Sequence, residues 1–253
     1  MIYQLHGKQI KKSDLVKYVT NYKKSIESSK KNRYFQIIKN IPSGFNILDY
    51  GCGWGCFSKM MHDKGNNVVG IDLSLNEINI CKTVWGENEK LKFKKSSIEQ
   101  IKTKSFDFIT SIQVIEHTHN PGNYLNQCNR VLKQDGVLVI SIPNIMTPRF
   151  ILPLLQINLQ KKLLNLSNKI NKEYQKSQDH IQAWDSVHFV KLVSTMGFTL
   201  EKYIPLEGIQ FPIPNLVSKI IPSYFHFSLL KNYYYSMAFF FKKISDSKIK
   251  CND

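Results

Sequence analysis

Apolar positions along this chain fall into two alternating rhythms. Leu15, Tyr18, Val19, Tyr22 and Ile26 recur at three- and four-residue intervals, and Tyr34, Ile37, Ile38 and Ile41 do so again. Residues 11–40 are therefore predicted to form two helices. Pro42-Ser43-Gly44 punctuates before a short apolar run, Ile47-Leu48, that ends at Asp49. Helical spacing returns from Cys56 to about Lys64, with Phe57, Met60 and Met61 on one face, until Gly65 stops it. Val68 to Ile71 predicts a buried strand closed by Asp72. A helix over 75–85 follows, with Ser74 and Glu77 spaced as a capping box. Strands are predicted at Leu91–Lys95 and Phe106–Ile112, a helix at about 122–132 behind Asn120-Pro121, and a strand at Val137–Ile142 opened by Gly136. Val187–Met196 predicts a helix stopped by Gly197, Phe198–Ile204 a sixth strand, and Tyr233–Phe241 the last one. Prolines 205, 212, 214 and 222 mark irregular chain around short helical pieces.

Strand, glycine turn, helix, strand and acid, in that order over residues 46–74, open a doubly wound α/β sheet. Gly51, Gly53 and Gly55 let the chain turn sharply and bring bare backbone against a ligand. The helix start beside them supplies unpaired N–H groups, and an acid at the tip of the second strand accepts the hydroxyls of a ribose. A nucleoside-bearing cofactor is expected at this edge. A dinucleotide fingerprint would need glycine at position 56, where this chain has Cys56.

The spacing G-x-G-x-G, with Asp49 two residues ahead, resembles the first motif of class I S-adenosylmethionine (SAM)-dependent methyltransferases. The resemblance continues through SFDFITSIQVIEHTHNPGNYLNQCNRVLKQDGVLVISIPN (105–144) and covers roughly residues 30–145. It is similar to the small-molecule O-methyltransferase group that includes the ubiquinone-biosynthesis enzymes. The resemblance implies a Rossmann-like, doubly wound, seven-stranded, mostly parallel sheet with an antiparallel last strand, N-terminal helices and a helical lid insertion. The expected division is one methyltransferase domain over 1–253: N-terminal helices (1–44), cofactor core (45–144), helical lid (145–186) and the C-terminal part of the sheet (187–253). SAM is the implied cofactor and S-adenosylhomocysteine (SAH) the product. Asp49, Gly51, Gly53, Gly55, Asp72, Leu73, Ser97, Ile98 and Ile112 are the implied cofactor positions. Ser97 departs from the family, which usually has an acid there against the adenine amine; backbone at Ile98 remains for the ring edge. Tyr18 or Tyr22 would cover the cofactor, or simply pack in the core.

Ligands in such sheets sit beyond the carboxyl ends of the strands, which puts Gln113 to His117 beside the reactive methyl. The amino-methylating tetrapeptide N/D-P-P-Y/F is absent here, which weakens a DNA-base acceptor. Two roles stand open for His117: general base towards a hydroxyl nucleophile, or loop orientation together with Glu116. His119 is expected to face solvent. His188 is a second candidate base, with a structural histidine as its alternative. His180 and Trp184 lie in a segment that faces the substrate in similar methyltransferases, and Arg149 is a candidate anion anchor. The stretch 145–185, with Ile151, Leu154, Leu155, Leu159, Leu163, Leu166 and Ile170, is expected to supply a helix or two as lid or interface.

Charge modifies this picture. The chain of 253 residues carries 35 basic and 19 acidic residues, a net +16, yet only Arg33, Arg130 and Arg149 among the basic ones are arginines. Base and phosphate recognition favours arginine, so the charge is read as a general pull on anionic substrates rather than a nucleic-acid surface. Cysteines 52, 56, 81, 128 and 251 fit no disulfide framework, and no Cys/His set stands at zinc spacing, so no metal is expected. The start, MIYQLHGKQIKK, has no apolar run of signal-peptide length, and no segment reaches the ~20 apolar residues of a membrane span. A cytoplasmic enzyme is expected, with a homodimer left open. Residues 211–241 are read as core, the alternative being a membrane-surface patch. The expected reaction is methyl transfer to an oxygen of a small polar, anionic metabolite or nucleotide-linked precursor. Surface-polysaccharide enzymes, including those of capsular phosphoramidate groups and so of capsule biosynthesis, are further resemblances. The alternatives are a quinone-type O-methyltransferase with a lipophilic acceptor, and a SAM-binding regulatory or scaffold protein without turnover.

Overall fold

The computed structural model describes residues 2–5, 8–152, 160–161, 163–165, 180–211, 224–226 and 228–249. A hairpin of β1 (Ile2–Leu5) and β2 (Lys8–Lys11) leads into α1 (Lys12–Ser28) and α2 (Arg33–Ile38). Next come β3 (Asn46–Tyr50), α3 (Cys56–Asp63), β4 (Asn67–Asp72), α4 (Leu75–Trp85), β5 (Leu91–Lys95), β6 (Phe106–Ile112), α5 (Pro121–Val131) and β7 (Leu132–Pro143). The remainder holds α6 (Pro148–Ile151), α7 (Ser186–Thr195), β8 (Phe198–Leu206), β9 (Ile209–Gln210), β10 (Tyr224–Phe225) and β11 (Ser236–Lys243).

Seven strands form one sheet in the order β5-β4-β3-β6-β7-β11-β8. The first five are parallel, and β11 runs antiparallel to both β7 and β8. The chain builds outward from β3 to β5 and then returns to β6 on the other flank. The carboxyl ends of β3 and β6 thus border the switch point where such sheets open a crevice. The expected doubly wound sheet is present, its antiparallel last strand lying one place in from the edge.

Strand residues alternate between two cores because successive side chains point to opposite faces. Ile47, Val68, Phe108, Val139, Ala238 and Phe240 meet helices α1 to α4. Leu48, Ile71, Ile109, Leu138, Ile140, Phe239 and Phe241 meet α5 and α7. Strand β11 is therefore apolar on both faces, as a central strand must be. Its last residue, Lys243, is fully buried; its ammonium donates to the carbonyls of Asn129 (2.7 Å) and Leu132 (3.2 Å) and pairs with Asp246 (2.7 Å).

The structure differs from the sequence expectations in several places. The N-terminal hairpin was not expected; it docks on α4, with the Tyr3 hydroxyl 2.8 Å from that of Thr83 and Gln4 bonded both ways to the Asn76 amide. Strand β7 starts at Leu132, directly off α5, because Leu132 already pairs with Phe106. The last strand begins at Ser236, since the N–H of Tyr234 turns back to the Lys231 carbonyl. Only half of the capping box forms: the Ser74 hydroxyl accepts the Glu77 N–H (3.3 Å), but the N–H of Ser74 goes to Asp72 (2.8 Å). Most of the lid expected over 145–186 lies outside the described residues, and α6 is its described beginning. No helix among the described residues is long and apolar enough to cross a membrane.

Candidate active site

The glycine turn is built from the sheet outward. The N–H groups of Gly51 and Cys52 both donate to the carbonyl of Ile71 (2.9 and 3.0 Å), which ties the loop to β4. Gly51, Gly53 and Gly55 have φ of 75°, 50° and 70°, a left-handed backbone that side chains disfavour. The N–H of Gly53 donates to Asp72 (3.1 Å), so the acid at the end of β4 is drawn onto the loop. A cleft opens here, lined by Gly51, Gly53, Asp49 and Ile112 and, from the flanking helices, Tyr22, Tyr34, Phe57 and Glu77. Trp54 joins them from inside the loop; its carbonyl accepts the Trp85 indole N–H (2.7 Å) and its ring takes Tyr18 and Tyr22 edge-on at 5.9 and 5.7 Å. Tyr22 therefore does face the cleft.

Asp49 is buried beneath the loop, where it accepts the hydroxyls of Ser58 and Thr110 (the latter 2.8 Å). Burial pushes its carboxyl up to about 6, against those hydrogen bonds, which favour the ionised form, and with a smaller push from the Asp72 charge. Leu73, beside Asp72, is 69% exposed. Ser97 is half-buried, its carbonyl accepting from the Ser96 hydroxyl (2.9 Å). Ile98 is fully buried, and Arg130 holds its carbonyl (2.9 Å).

At the carboxyl end of β6, Gln113 carries φ of 59°, a costly conformation for a side-chain-bearing residue. Its N–H and amide group both bond Ser141 (2.9 and 3.0 Å). Three residues on, Glu116 is fully buried, and among the described residues neither carboxyl oxygen has a hydrogen-bond partner. Burial pushes its pKa up to about 7, with the Arg33 charge pulling the other way. His180 Nε2 lies 4.0 Å from Glu116 Oε1, and the His117 and His180 rings meet edge-on at 4.9 Å. The carbonyl of Glu116 also accepts the N–H groups of Ile181 and Gln182 (2.9 and 3.0 Å), which pins that segment across the end of β6. Ligand atoms of Glu116, His117 and His180 all fall within 4.8 Å of one another, a donor set able to hold a divalent cation. Spacing along the chain gave no sign of it, because His180 arrives from a distant segment.

The other expected site residues are dispersed. His188 is largely exposed in the first turn of α7, paired with the N-cap Asp185 (2.6 Å), whose carboxylate also accepts the N–H groups of Val187 and His188. Desolvation raises the Asp185 carboxyl, but the hydrogen bonds from the His188 N–H, the His188 ring and the Val187 N–H together hold it below the usual range, and His188 thereby braces the helix cap away from the cleft lining. Trp184 packs on Phe189 (5.4 Å between rings), and its backbone bridges Asn144. Arg149 lies with its guanidinium carbon 5.7 Å from the Tyr235 ring. Trp54, Tyr34 and Glu116 were underweighted by sequence reasoning. Trp54 alone carried a local signal, standing between two loop glycines.

Fold, glycine cradle and strand-end acid define a nucleoside-cofactor enzyme of the doubly wound class. A methyltransferase-domain family matches residues 20–203. The chain belongs to that family and is a class I SAM-dependent methyltransferase with SAM as its cofactor. A ubiquinone biosynthesis O-methyltransferase from Dechloromonas aromatica is 34% identical over 106 residues, which is 40% of this chain and 46% of that relative. The chain thus matches less than half the length of that relative. A protein of Methanocaldococcus jannaschii is 26% identical over 253 residues, 96% of each chain. A solved SAM-dependent methyltransferase from Mesorhizobium loti superposes with a TM-score of 0.59 at 13% identity, covering 86% of this chain and 99% of the other. The residues present fit the cofactor: a Cβ built at Gly53 meets no atom within 4 Å, so the loop presents open space where a ligand must approach backbone.

Proposed function

We propose that this methyltransferase acts on an oxygen of a small polar acceptor bearing negative charge. Gly51, Gly53 and Gly55 hold the amino-acid end of SAM by backbone, Asp72 holds its ribose, and Tyr22, Tyr34 and Trp54 exclude water above it. SAM supplies a methyl already activated on a sulfonium. What remains for the protein is alignment of the nucleophile in a dry crevice and removal of its proton.

Buried Glu116 is the observation that carries the oxygen acceptor. A hydroxyl sheds its proton as it attacks, and His117 or His180 stands ready to take it. A carboxylate 4.0 Å behind the His180 ring stabilises the imidazolium that results. An oxygen already anionic would need only positioning. The net charge of +16 supports an anionic acceptor. A quinone-type acceptor is the second reading, favoured by the likeness to the Dechloromonas enzyme over the core. A phosphoramidate or surface-polysaccharide acceptor has no support from the residues described.

SAH release measured against pooled sugar nucleotides, phosphoramidates, catechols and amines identifies the acceptor class, and turnover of amines alone would overturn the proposal. With an acceptor in hand, kcat should climb with pH through about 7 as Glu116 ionises. Glu116→Gln should remove that limb and lower kcat roughly 10- to 100-fold, the range of general acid–base assistance.

A further inference from the structure

Three arginines serve this chain, and they are spent differently. Arg130 is a brace: its Nε donates to Gln127 (2.7 Å), and its two Nη nitrogens reach Ile101, Thr103, Ile98 and Glu99. Arg33, the first residue of α2, uses one edge only. Its Nε donates to Glu207 Oε1 (2.9 Å), while Glu207 Oε2 is fixed by the Ser236 hydroxyl (2.9 Å). Among the described residues the Nη nitrogens of Arg33 make no hydrogen bond, although the side chain is only 21% exposed. The unused edge is the fork that matches a carboxylate or phosphate.

The surroundings locate that fork. Tyr34, next in sequence, and Tyr22 both line the cofactor cleft. The charge of Arg33 reaches Tyr22, Tyr34, Tyr235 and the Glu116 carboxyl. Its ion pair with Glu207, just past β8, and the bond from Ser236, at the start of β11 opposite Pro143, set Arg33 at the carboxyl-end edge of the sheet, the edge on which the cofactor cleft opens. Arg149 lies over the ring of Tyr235, one of the groups that the Arg33 charge reaches.

We propose that Arg33 is the anion anchor for the methyl acceptor, its two Nη nitrogens gripping an oxyanion with Arg149 in support. This rests on the small anionic acceptor proposed above and names the group that selects it. Lysine in place of Arg33 would keep the charge but lose the two-pronged grip.

The test uses protein saturated with SAH, titrated calorimetrically with benzoate, phenyl phosphate, inorganic phosphate and, as a neutral control, benzyl alcohol. Oxyanions should bind at least tenfold more tightly than the alcohol, and the stronger of benzoate and phenyl phosphate tells carboxylate from phosphate. Arg33→Met should weaken oxyanion binding at least tenfold, Arg33→Lys partly, with SAH affinity held within twofold. Because Arg33→Met strands Glu207, the double variant Arg33→Met/Glu207→Met, which removes the pair together, is measured alongside. Wild-type oxyanion affinity in the double variant, or equal binding of benzyl alcohol by the native protein, would overturn the anchor. A protein that binds oxyanions through Arg33 yet methylates only amines would sink the oxygen reading and leave the anchor standing.

Discussion

Gly51, Gly53 and Gly55 share a left-handed backbone but are constrained differently. A Cβ at Gly51 would lie 2.5 Å from a Val114 methyl, and one at Gly55 would lie 2.9 Å from the Cys81 sulfur and the Phe93 ring. At Gly53 it would meet nothing. Gly51→Ala should therefore unfold readily. Gly53→Ala should cost about 1–2 kcal/mol from its φ alone and keep the fold. If the open side of Gly53 is where SAM sits, calorimetry should register a tenfold or greater loss of SAH affinity in Gly53→Ala; unchanged affinity would dissociate the loop from the cofactor. The glycine turn and the acid drawn onto it were legible in the sequence because their geometry depends on neighbours within some twenty positions. Glu116 was read only as a partner of His117, since its burial depends on packing that no local pattern records.

Strand β11 shows what an element does that its residues cannot do singly. It enters late in the chain and takes the place between β7 and β8. Phe239 there is fully buried against Phe189, Tyr203 and Phe241, with ring centroids 5.2, 5.3 and 5.8 Å away. Phe239→Ala should cost about 3–5 kcal/mol by opening a cavity, a large share of the ~5–15 kcal/mol that holds a typical domain. A urea midpoint unmoved by this change would contradict its central place. The aromatic run was legible as a strand, and its burial on both faces removes the described part, 236–243, from any membrane-surface role. The N-terminal hairpin escaped notice because four-residue strands carry too few alternations to stand out, and docking on α4 is what holds them.

Charge acts on the molecule as a whole. A net +16 raises the local concentration of anions around the protein, and salt screens it over about 10 Å at 0.1 M. For an anionic acceptor kcat/KM should fall severalfold between about 20 and 200 mM salt, whereas a neutral acceptor of the same shape should be far less affected. Equal salt dependence for both would separate the charge from substrate capture. By itself the sequence determined the strands and helices of the core, the left-handed glycine turn, the acid at the end of β4 and so the SAM-dependent methyltransferase class, because each is written in short-range periodicity and spacing. Tertiary structure alone decided which distant side chains meet at the carboxyl ends of the strands. Glu116 meets His180, and Arg33 meets Glu207 across 174 positions, only because the sheet turns back at its switch point and β8 returns beside β11. The physical reason is that contacts between distant segments follow from how the layers pack, and packing leaves no period in the chain.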